Sequence, residues 1–460
     1  MTQQTARHAQ RPARPQAPAS APGPALSTAA GPAPRRGRRS LAATTPAALR
    51  MLSVALVLLS LGWGALAGWT VSQHSSAASA VVHTDQPLAL AAQQMYRSIS
   101  DADVTATSAF LSNSQPPLAT LQRYRADIAT AAAELTTLNG AGQGNPQLTA
   151  AIAAVSAGLP TYTGYVAQAQ AEYALGYPLT GGSFLQVASE EAHLVLLPAA
   201  KTIYTRQDDA LTSTGSQATA VLPVVVALVL AVIIGLALIR AQRWLTRRTH
   251  RVFNLGLLAA SAALIISAVW LVATFAVARS DLTRGIDHGS SPAAALAQAS
   301  IEVQQARGDE ILNLISRTGA TSFEQDYKTV RAQIGPGTGT LLTTAASASQ
   351  GQAADQVEAA AHDATTWYAV NDQVYRLDLT AAYAAETNLV IGTGAGSSAA
   401  GFDQLENDIG AAIAADNAAF QTSATAGANA YGPLEDAVIV AALLMAGGCA
   451  LGIGRRIREY

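Results

Sequence analysis

The chain has 460 residues, of which 13% are charged and 50% hydrophobic, whereas a soluble domain is roughly a quarter charged. That balance excludes a chain built only of soluble domains and makes membrane spans the first expectation. A formal net charge of −2 and a single cysteine, Cys449, exclude a global basic field for nucleic acid, a disulfide framework, and any CxxC redox or zinc motif.

Residues 1–50 carry eight arginines and no acid, and residues 1–48 hold eight of the 19 prolines and no aromatic residue. Such a composition cannot bury enough apolar surface to offset ordering entropy, so a disordered head is expected. Its Arg35-Arg36-Gly37-Arg38-Arg39 run reads as a topology signal, or as a hold on anionic lipid at roughly 1 kcal/mol per cation. Met51–Val71 follow, apolar and free of ionisable groups, long enough to cross a core of about 30 Å at about 1.5 Å per residue. Ala78-Ser79-Ala80 would suit cleavage of a leader, but the apolar run exceeds the roughly 7–15 residues of a leader and favours an anchor.

Residues 72–217 are rich in Ala, Gln, Leu and Glu, with apolar positions at helical spacing and no alternating β-branched runs. Breakers at Asn113–Pro117, Asn139–Pro146 and Gly176–Gly182 predict helices near 75–112, 118–138, 147–175 and 183–214 in an up-down-up-down bundle. Its first and last helices lead straight into spans. Ala218–Ile239 is the second span. Residues 240–254 form a short loop with Arg240, Arg243, Arg247, Arg248 and Arg251, and Leu255–Ala278 is the third span. Residues 279–436 repeat the bundle plan less regularly, with breaks at Gly289–Pro292 and Gly335–Gly339. Ala437–Ile453, between Tyr431 and the Arg455-Arg456 pair, is the fourth span, and 454–460 a basic tail. Gly447-Gly448 and Gly452 either allow close helix approach there or are mere composition.

Head, loop and tail hold 16 of the 28 cations, and the two long segments hold 29 of the 30 acids. The positive-inside rule therefore puts both termini and the short loop in the cytoplasm and both long segments outside. The expected fold class is all-α: a membrane protein with four transmembrane helices and two extracytoplasmic four-helix-bundle-like domains. Fixed offsets support an internal duplication. Pro87 and Gln93 answer Pro292 and Gln298 at 205 residues, Tyr124 and Tyr165 answer Tyr327 and Tyr368 at 203, and Phe184 and Gln186 answer Phe402 and Gln404 at 218.

Little of the sequence carries chemistry. The glycine runs Gly335–Gly339 and Gly392–Gly396 lack a preceding strand and a following Lys-Ser/Thr, so they read as bundle loops. Glu190-Glu-Ala-His193 has the Glu-x-x-His spacing of bundle di-iron sites, but the matching helix reads Glu406-Asn-Asp-Ile409. A helix acid beside a surface histidine is expected instead, with no metal or other cofactor. No GxSxG or HExxH occurs, and no enzyme is expected. The set with ligand chemistry is Arg97, Asp101 and Asp103, with counterparts Arg307, Asp309 and Glu310. Arginine grips a carboxylate with two parallel bonds and paired acids hold an ammonium. The alternative is a salt-bridged solvent face, with Arg97 and Asp101 as i,i+4 partners. Trp367, Tyr368 and Tyr375 read as bundle core or a docking surface.

The order span, bundle, span in both halves, the basic inner loop and the Ala/Arg/Pro-rich composition together resemble the actinobacterial GlnX-type membrane proteins over about residues 50–458. The resemblance implies a transmembrane sensor or adaptor. Its partners would be an extracytoplasmic GlnH-like solute-binding lipoprotein for acidic amino acids and their amides, and a cytosolic PknG-like Ser/Thr kinase. It assigns no site residues; the inner arginines Arg240–Arg251 are expected at the cytoplasmic contact by position. Dimerisation through the bundles is expected by analogy. Two other classes stand beside it: a receptor whose bundles bind a small molecule directly, and a structural envelope protein. A polar cavity around Arg97 or Arg307 would favour direct binding, and a flat apolar patch at a bundle tip would favour a protein partner.

Overall fold

Helix formers dominate everywhere between the glycine and proline clusters, and the computed structural model of the protein is all-α, with no strand among the described residues. These are residues 45–110, 118–141, 144–249, 254–316, 321–334, 337–392 and 394–457. The head before Thr45, the Asn113–Pro117 break, Arg251 and Arg458 lie outside them, as do the side chains of Arg248, Tyr327 and Arg456.

The helices are α1 (Thr45–Ala80), α2 (Gln86–Phe110), α3 (Leu118–Leu138), α4 (Pro146–Ala174), α5 (Pro178–Glu191), α6 (Leu197–Ala218), α7 (Leu222–Thr249), α8 (Leu255–Gly285), α9 (Ser291–Ser316), α10 (Thr321–Ile334), α11 (Leu341–Ala348), α12 (Gln352–Leu379), α13 (Tyr383–Ile391), α14 (Ser398–Asn429) and α15 (Gly432–Ile457). Wide π turns join α1 to α2 (Val81–Asp85), α5 to α6 (Ala192–Leu196) and α8 to α9 (Ile286–Ser290), so each pair runs as one rod. The chain is a multi-pass membrane protein in which four rods carry stretches long and apolar enough to cross a bilayer. Apolar side chains on those stretches, such as Leu58, Val232, Ile265 and Leu443, are exposed on the protein surface, the pattern of helices solvated by lipid.

Prolines account for the π turns. Proline offers no N–H to the carbonyl four residues back, and its ring collides with that carbonyl. Pro87, Pro198 and Pro292 each follow a π turn by two residues, so that carbonyl lies in the wide turn. The residue before each proline instead bonds five back: Gln86 N–H to Val81 O, Leu197 to Ala192 O and Ser291 to Ile286 O. The expected break at Gly289–Pro292 is therefore no break; the helix absorbs it. Two other expected boundaries shift. Helix resumes at Pro178 rather than after Gly182, and the short loop after the second span is mostly the continuation of α7 to Thr249.

Within the first long segment α2 packs on α3 and α6, and α4 on α5 and α6; within the second α9 packs on α10 and α14, and α12 on α14. The local geometry repeats as well. The π turns at Val81 and Ile286 lie 205 residues apart, as do Gly176 (φ 84°) and Ala381 (φ 54°). Each of these left-handed residues closes the same helix stop, Tyr177 N–H to Glu172 O at 2.9 Å and Ala382 N–H to Leu377 O at 3.0 Å. The two segments do not stand apart: one apolar cluster runs through both, from Met95, Tyr162 and Leu196 to Ile311, Trp367 and Ile409.

A second apolar cluster holds the four spans together. The Trp63 indole donates to Ala227 O at 3.2 Å, tying α1 to α7. At the other side α8 meets α15 backbone to backbone. A Cβ on Gly448 would lie 2.7 Å from Gly256 O, and one on Gly452 would lie 2.8 Å from Asn254 Oδ1. The Asn254 amide donates to Gly452 O at 2.8 Å while its Oδ1 caps α8 at the Gly256 N–H, 3.2 Å. Gly447, by contrast, faces open space.

Gly448→Leu should thus separate α8 from α15 and lower the apparent thermal stability of the purified protein by about 1–3 kcal/mol, the usual cost of overpacking. Gly447→Leu should leave it unchanged. Equal melting of the two variants would contradict the contact.

Candidate functional site

Several charged residues are buried in apolar helical stripes, where ordinary solvent-facing charges do not belong, and three of them build the clusters described below. These three are Asp103 among Tyr96, Ile99, Ala106 and Phe110 on α2, Arg307 between Val303 and Ile311 on α9, and Glu406 among Phe402, Ile409 and Ile413 on α14. Helical spacing carries each into the packed interior, where a charge is tolerated only if paired and hydrogen-bonded.

Glu406 is the centre of a seam between the two long segments. Its carboxylate accepts from Ser300 Oγ at 3.0 Å and Gln304 Nε2 at 3.3 Å, both on α9. Arg97, on α2, places Nε 3.6 Å from Glu406 Oε2 and donates from Nη2 to the Glu406 carbonyl at 3.3 Å. Gln304 Nε2 also donates to Asp101 Oδ1 at 3.1 Å. At the rim Arg123 of α3 pairs with Asp403 of α14 at 3.0 Å. Thus Arg97 and Asp101 do not form the i,i+4 solvent pair: each is turned across the seam, one to α14 and the other to α9. Burial raises the carboxyl of Glu406 to about 7; Arg97, Ser300 and Gln304 pull it down and Asp101 pushes it up. Asp127 is also raised to about 7, by burial and then by Asp101.

The other sequence candidates divide between two further clusters. Asp103 accepts from Ser189 Oγ at 3.0 Å and meets His193 Nε2 at 3.2 Å. His193 lies in the π turn between α5 and α6 and sits 3.8 Å from where a Cβ on Gly308 of α9 would be. It is therefore no ordinary surface histidine. Its hydrogen bond to Asp103 raises its pKa against the opposing effect of burial, with Asp309 adding a smaller pull. Arg307 and Glu310 are paired inside the second segment, with side chains 3% and 6% exposed. Arg307 also donates to Val390 O at 3.0 Å and to Ser398 Oγ at 3.1 Å, and Ser398 Oγ lies 2.7 Å from Glu310 Oε2. Trp367 Nε1 donates to the same hydroxyl at 2.9 Å, and Trp367 and Tyr368 are fully buried core. Burial raises the Glu310 carboxyl while Arg307 and Ser398 lower it. The six residues are accordingly not two copies of one binding set: Arg97 and Asp101 serve the seam, Asp103 and Asp309 flank His193, and Arg307 and Glu310 form an internal strut.

A polar groove of about 600 Å³ opens beside Arg97, between α2 and α14 with Glu134 of α3 at its edge. Apolar side chains are also exposed at the ends of both segments farthest from the spans: Leu175, Tyr177 and Leu179 around the α4–α5 turn, and Tyr375, Leu379 and Tyr383 around the α12–α13 turn. Among the described residues no group of three His, Cys, Asp or Glu side chains is gathered to hold a metal.

Residues 77–216, the first long segment, match the actinobacterial sensor domain family. A sensing role is what that match supports. No curated protein and no solved structure matches the chain.

The raised carboxyl of Glu406 has a signed consequence. Between its unfolded value, near 4.5, and its folded value of about 7, the folded state holds a proton that the unfolded chain has lost. Stability contributed by the protonated form is thus full below pH 4.5 and is lost as pH rises through about 7. Glu406→Gln should flatten the fall in apparent Tm across that window, leaving a smaller slope to which Asp127 and Asp416, raised by burial to about 7 and about 6, contribute. An unchanged slope would show that Glu406 does not titrate there.

Proposed function

We infer that the chain is a transmembrane sensor whose two long segments form one receiving body, and whose output is handed to a separate cytoplasmic protein. The observation that carries this reading is mechanical. The helices meeting at the Glu406 seam, α2 and α9, continue through π turns into the spans of α1 and α8, and α14 reaches α15 after a turn of two residues. Glu406 lies 31 residues before Ala437, roughly 45 Å along a helix. A shift at the seam therefore moves rods, not flexible loops, at the bilayer. The repeated π turn, helix stop and packing plan support a duplicated module, with the charge asymmetry putting the body outside and the α7 end inside. On that reading Arg240, Arg243 and Arg247 extend one face of α7 beyond the membrane, with Arg248 and Arg251 following in sequence, as the surface a kinase or adaptor would read. No catalysis by the chain itself is involved.

A protein as the outer stimulus is favoured by one specific feature, the matched apolar tips. Each exposes three large side chains near the repeated helix stop, Leu175, Tyr177 and Leu179 at one and Tyr375, Leu379 and Tyr383 at the other. Isolated apolar residues are common on surfaces, but paired clusters at equivalent tips mark a docking place. A solute-binding protein seated across both tips would bias the seam only if it favoured one arrangement of the rods over the other.

Transmission can be tested without knowing the stimulus. With Cys449→Ser as background, spin labels at positions 243 and 455 of the full chain in lipid nanodiscs report the distance between the inner ends of α7 and α15. Arg97→Met should change that distance distribution. Identical distributions in the two proteins would refute transmission from the seam. The docking reading has its own test: Leu179→Glu with Tyr383→Glu should abolish binding of the co-encoded solute-binding protein to the full chain, and intact binding would remove the tips as its site.

A further inference from the structure

Each long segment is joined to the membrane by one rod that leaves a span and one that enters the next, and the two kinds are built differently. The leaving rods, α1–α2 and α8–α9, pass Pro87 and Pro292 through π turns without stopping. The entering rods stop: α6 ends at Ala218 before α7 begins at Leu222, and α14 ends at Asn429 before α15 begins at Gly432. Each restart carries a proline as its second residue, Pro223 and Pro433, where the missing N–H costs nothing because the helix before it has already closed. Both halves thus pair an unbroken rod with a jointed one.

His74 of α1 stands between the two joints. It is 3% exposed and follows the first span, Met51–Val71, by three residues. Its Nδ1 lies 3.0 Å from Ala218 O, the last carbonyl of α6. The final carbonyls of a helix receive no N–H from their own helix. A carbonyl only accepts, so Nδ1 carries the proton and donates it. The imidazole is also nearly parallel to the ring of Tyr431, inside the second joint, with centroids 6.2 Å apart and planes at 11°. It meets Phe275 of α8 at 5.2 Å. One side chain of α1 therefore touches the other three rods at the level where the body becomes membrane. At the 205-residue offset of the two π turns its counterpart is Arg279, which is exposed, so the second half does not repeat it.

The two joints differ in how the span beyond them is held. α15 lies on α8 backbone to backbone, with the Asn254 amide on Gly452 O near the inner end. α7 is tied by side chains, Trp63 to Ala227 O and Gln242 to Ser261 Oγ at 3.2 Å, and hydrogen bonds of this kind between spans are individually weak. We propose that His74 is a positioning residue that pins the α6–α7 joint through its hydrogen bond to Ala218, fixing the angle at which α7 carries Arg240, Arg243 and Arg247 to the inner side. A displacement of the α1–α2 rod draws the imidazole from Ala218 O and frees the joint. A proline kink of about 20° over the 22 residues from Val221 to Arg243, about 33 Å of helix, moves the inner end by about 11 Å. The pin stands on its own contacts; its use in signalling rests on the transmission inferred above.

The test is the distance distribution between spin labels at positions 243 and 258, near the inner ends of α7 and α8, in the full chain with Cys449→Ser in lipid nanodiscs. His74→Asn keeps a donor at the place of Nδ1 and loses the ring, whereas His74→Phe keeps the ring and loses the donor. The expected result is a distribution like the parent's for the asparagine variant and one shifted or broadened by at least about 5 Å, half the full swing, for the phenylalanine variant. Labels at 258 and 455 should keep their distance in both, because α15 is held to α8. His74→Leu, smaller and also without a donor, replaces the phenylalanine variant where that fails to fold. An unchanged 243–258 distribution without the donor would overturn the proposal. A change in His74→Asn at least as large as in His74→Phe, or an equal change at 258–455, would overturn it as well. Arg97→Met separates the two readings. A His74→Phe effect without an Arg97→Met effect leaves the pin and removes transmission from the seam, and the reverse removes the pin alone.

Discussion

A carboxylate enclosed by three helices must be held on every side or give up its charge, and the Glu406 side chain is in that position. Ser300 and Gln304 reach it from α9, Arg97 from α2, and the apolar residues of α14 surround its base. Removing any of these partners leaves the others facing a desolvated charge, which is far costlier than the pair is stabilising. Helices from the two long segments are thereby fixed to one another at one level, through a group poised near neutrality by its burial. The rest of the body is arranged around this point. The groove lies on one side of it, the Arg123–Asp403 pair at its rim, and the Asp103–His193 pair farther along α2 where α5, α6 and α9 converge.

What gives the seam reach is the way the chain crosses from body to membrane. A proline in the middle of a helix ordinarily kinks it or ends it. Here Pro87, Pro198 and Pro292 are each accommodated by a π turn that keeps the rod continuous. Such turns are weaker than α-helix and commonly sit at functional positions, and two of these three lie in the rods that bear Arg97 and Gln304. Near the spans, small residues keep the rods in close register: Gly285 and Gly289 against Phe420, Gly427 against Ala278, and Gly448 against Gly256. The bundle is accordingly tight at the membrane and polar at the seam, a distribution suited to moving as a set of levers.

Much of this was legible in the sequence, for identifiable reasons. Span positions follow from apolar length, and the helix ends at Leu138, Asn145 and Ala174 follow from turn residues. The offset of 205 residues between Pro87 and Pro292 marks the two π turns, since the same chemistry dictates the same local geometry. The buried charges were legible in principle too: Glu406 falls in register with Phe402, Ile409 and Ile413, and Arg307 with Val303 and Ile311. Reading Arg97, Asp101 and Asp103 as one set failed because Asp103 points away from the helix face that Arg97 and Asp101 share, and because those two are each drawn to a different neighbouring helix. Their partners, Glu406, Gln304 and His193, lie some 90 to 310 positions away, and pairing at that distance is a property of the tertiary fold. The shared core of the two segments was hidden for the same reason. Side-by-side packing of Ala-rich helices leaves no mark that separates an internal face from one meeting a neighbouring bundle.

The central claim, that the seam and the spans are mechanically one, is tested most directly by hydrogen–deuterium exchange of the full chain in lipid nanodiscs, comparing wild type with Arg97→Met. The account predicts faster exchange at the seam and also at the π turns Val81–Asp85 and Ile286–Ser290, well away from the substitution. Changes confined to the helical turn around residue 97 would contradict it.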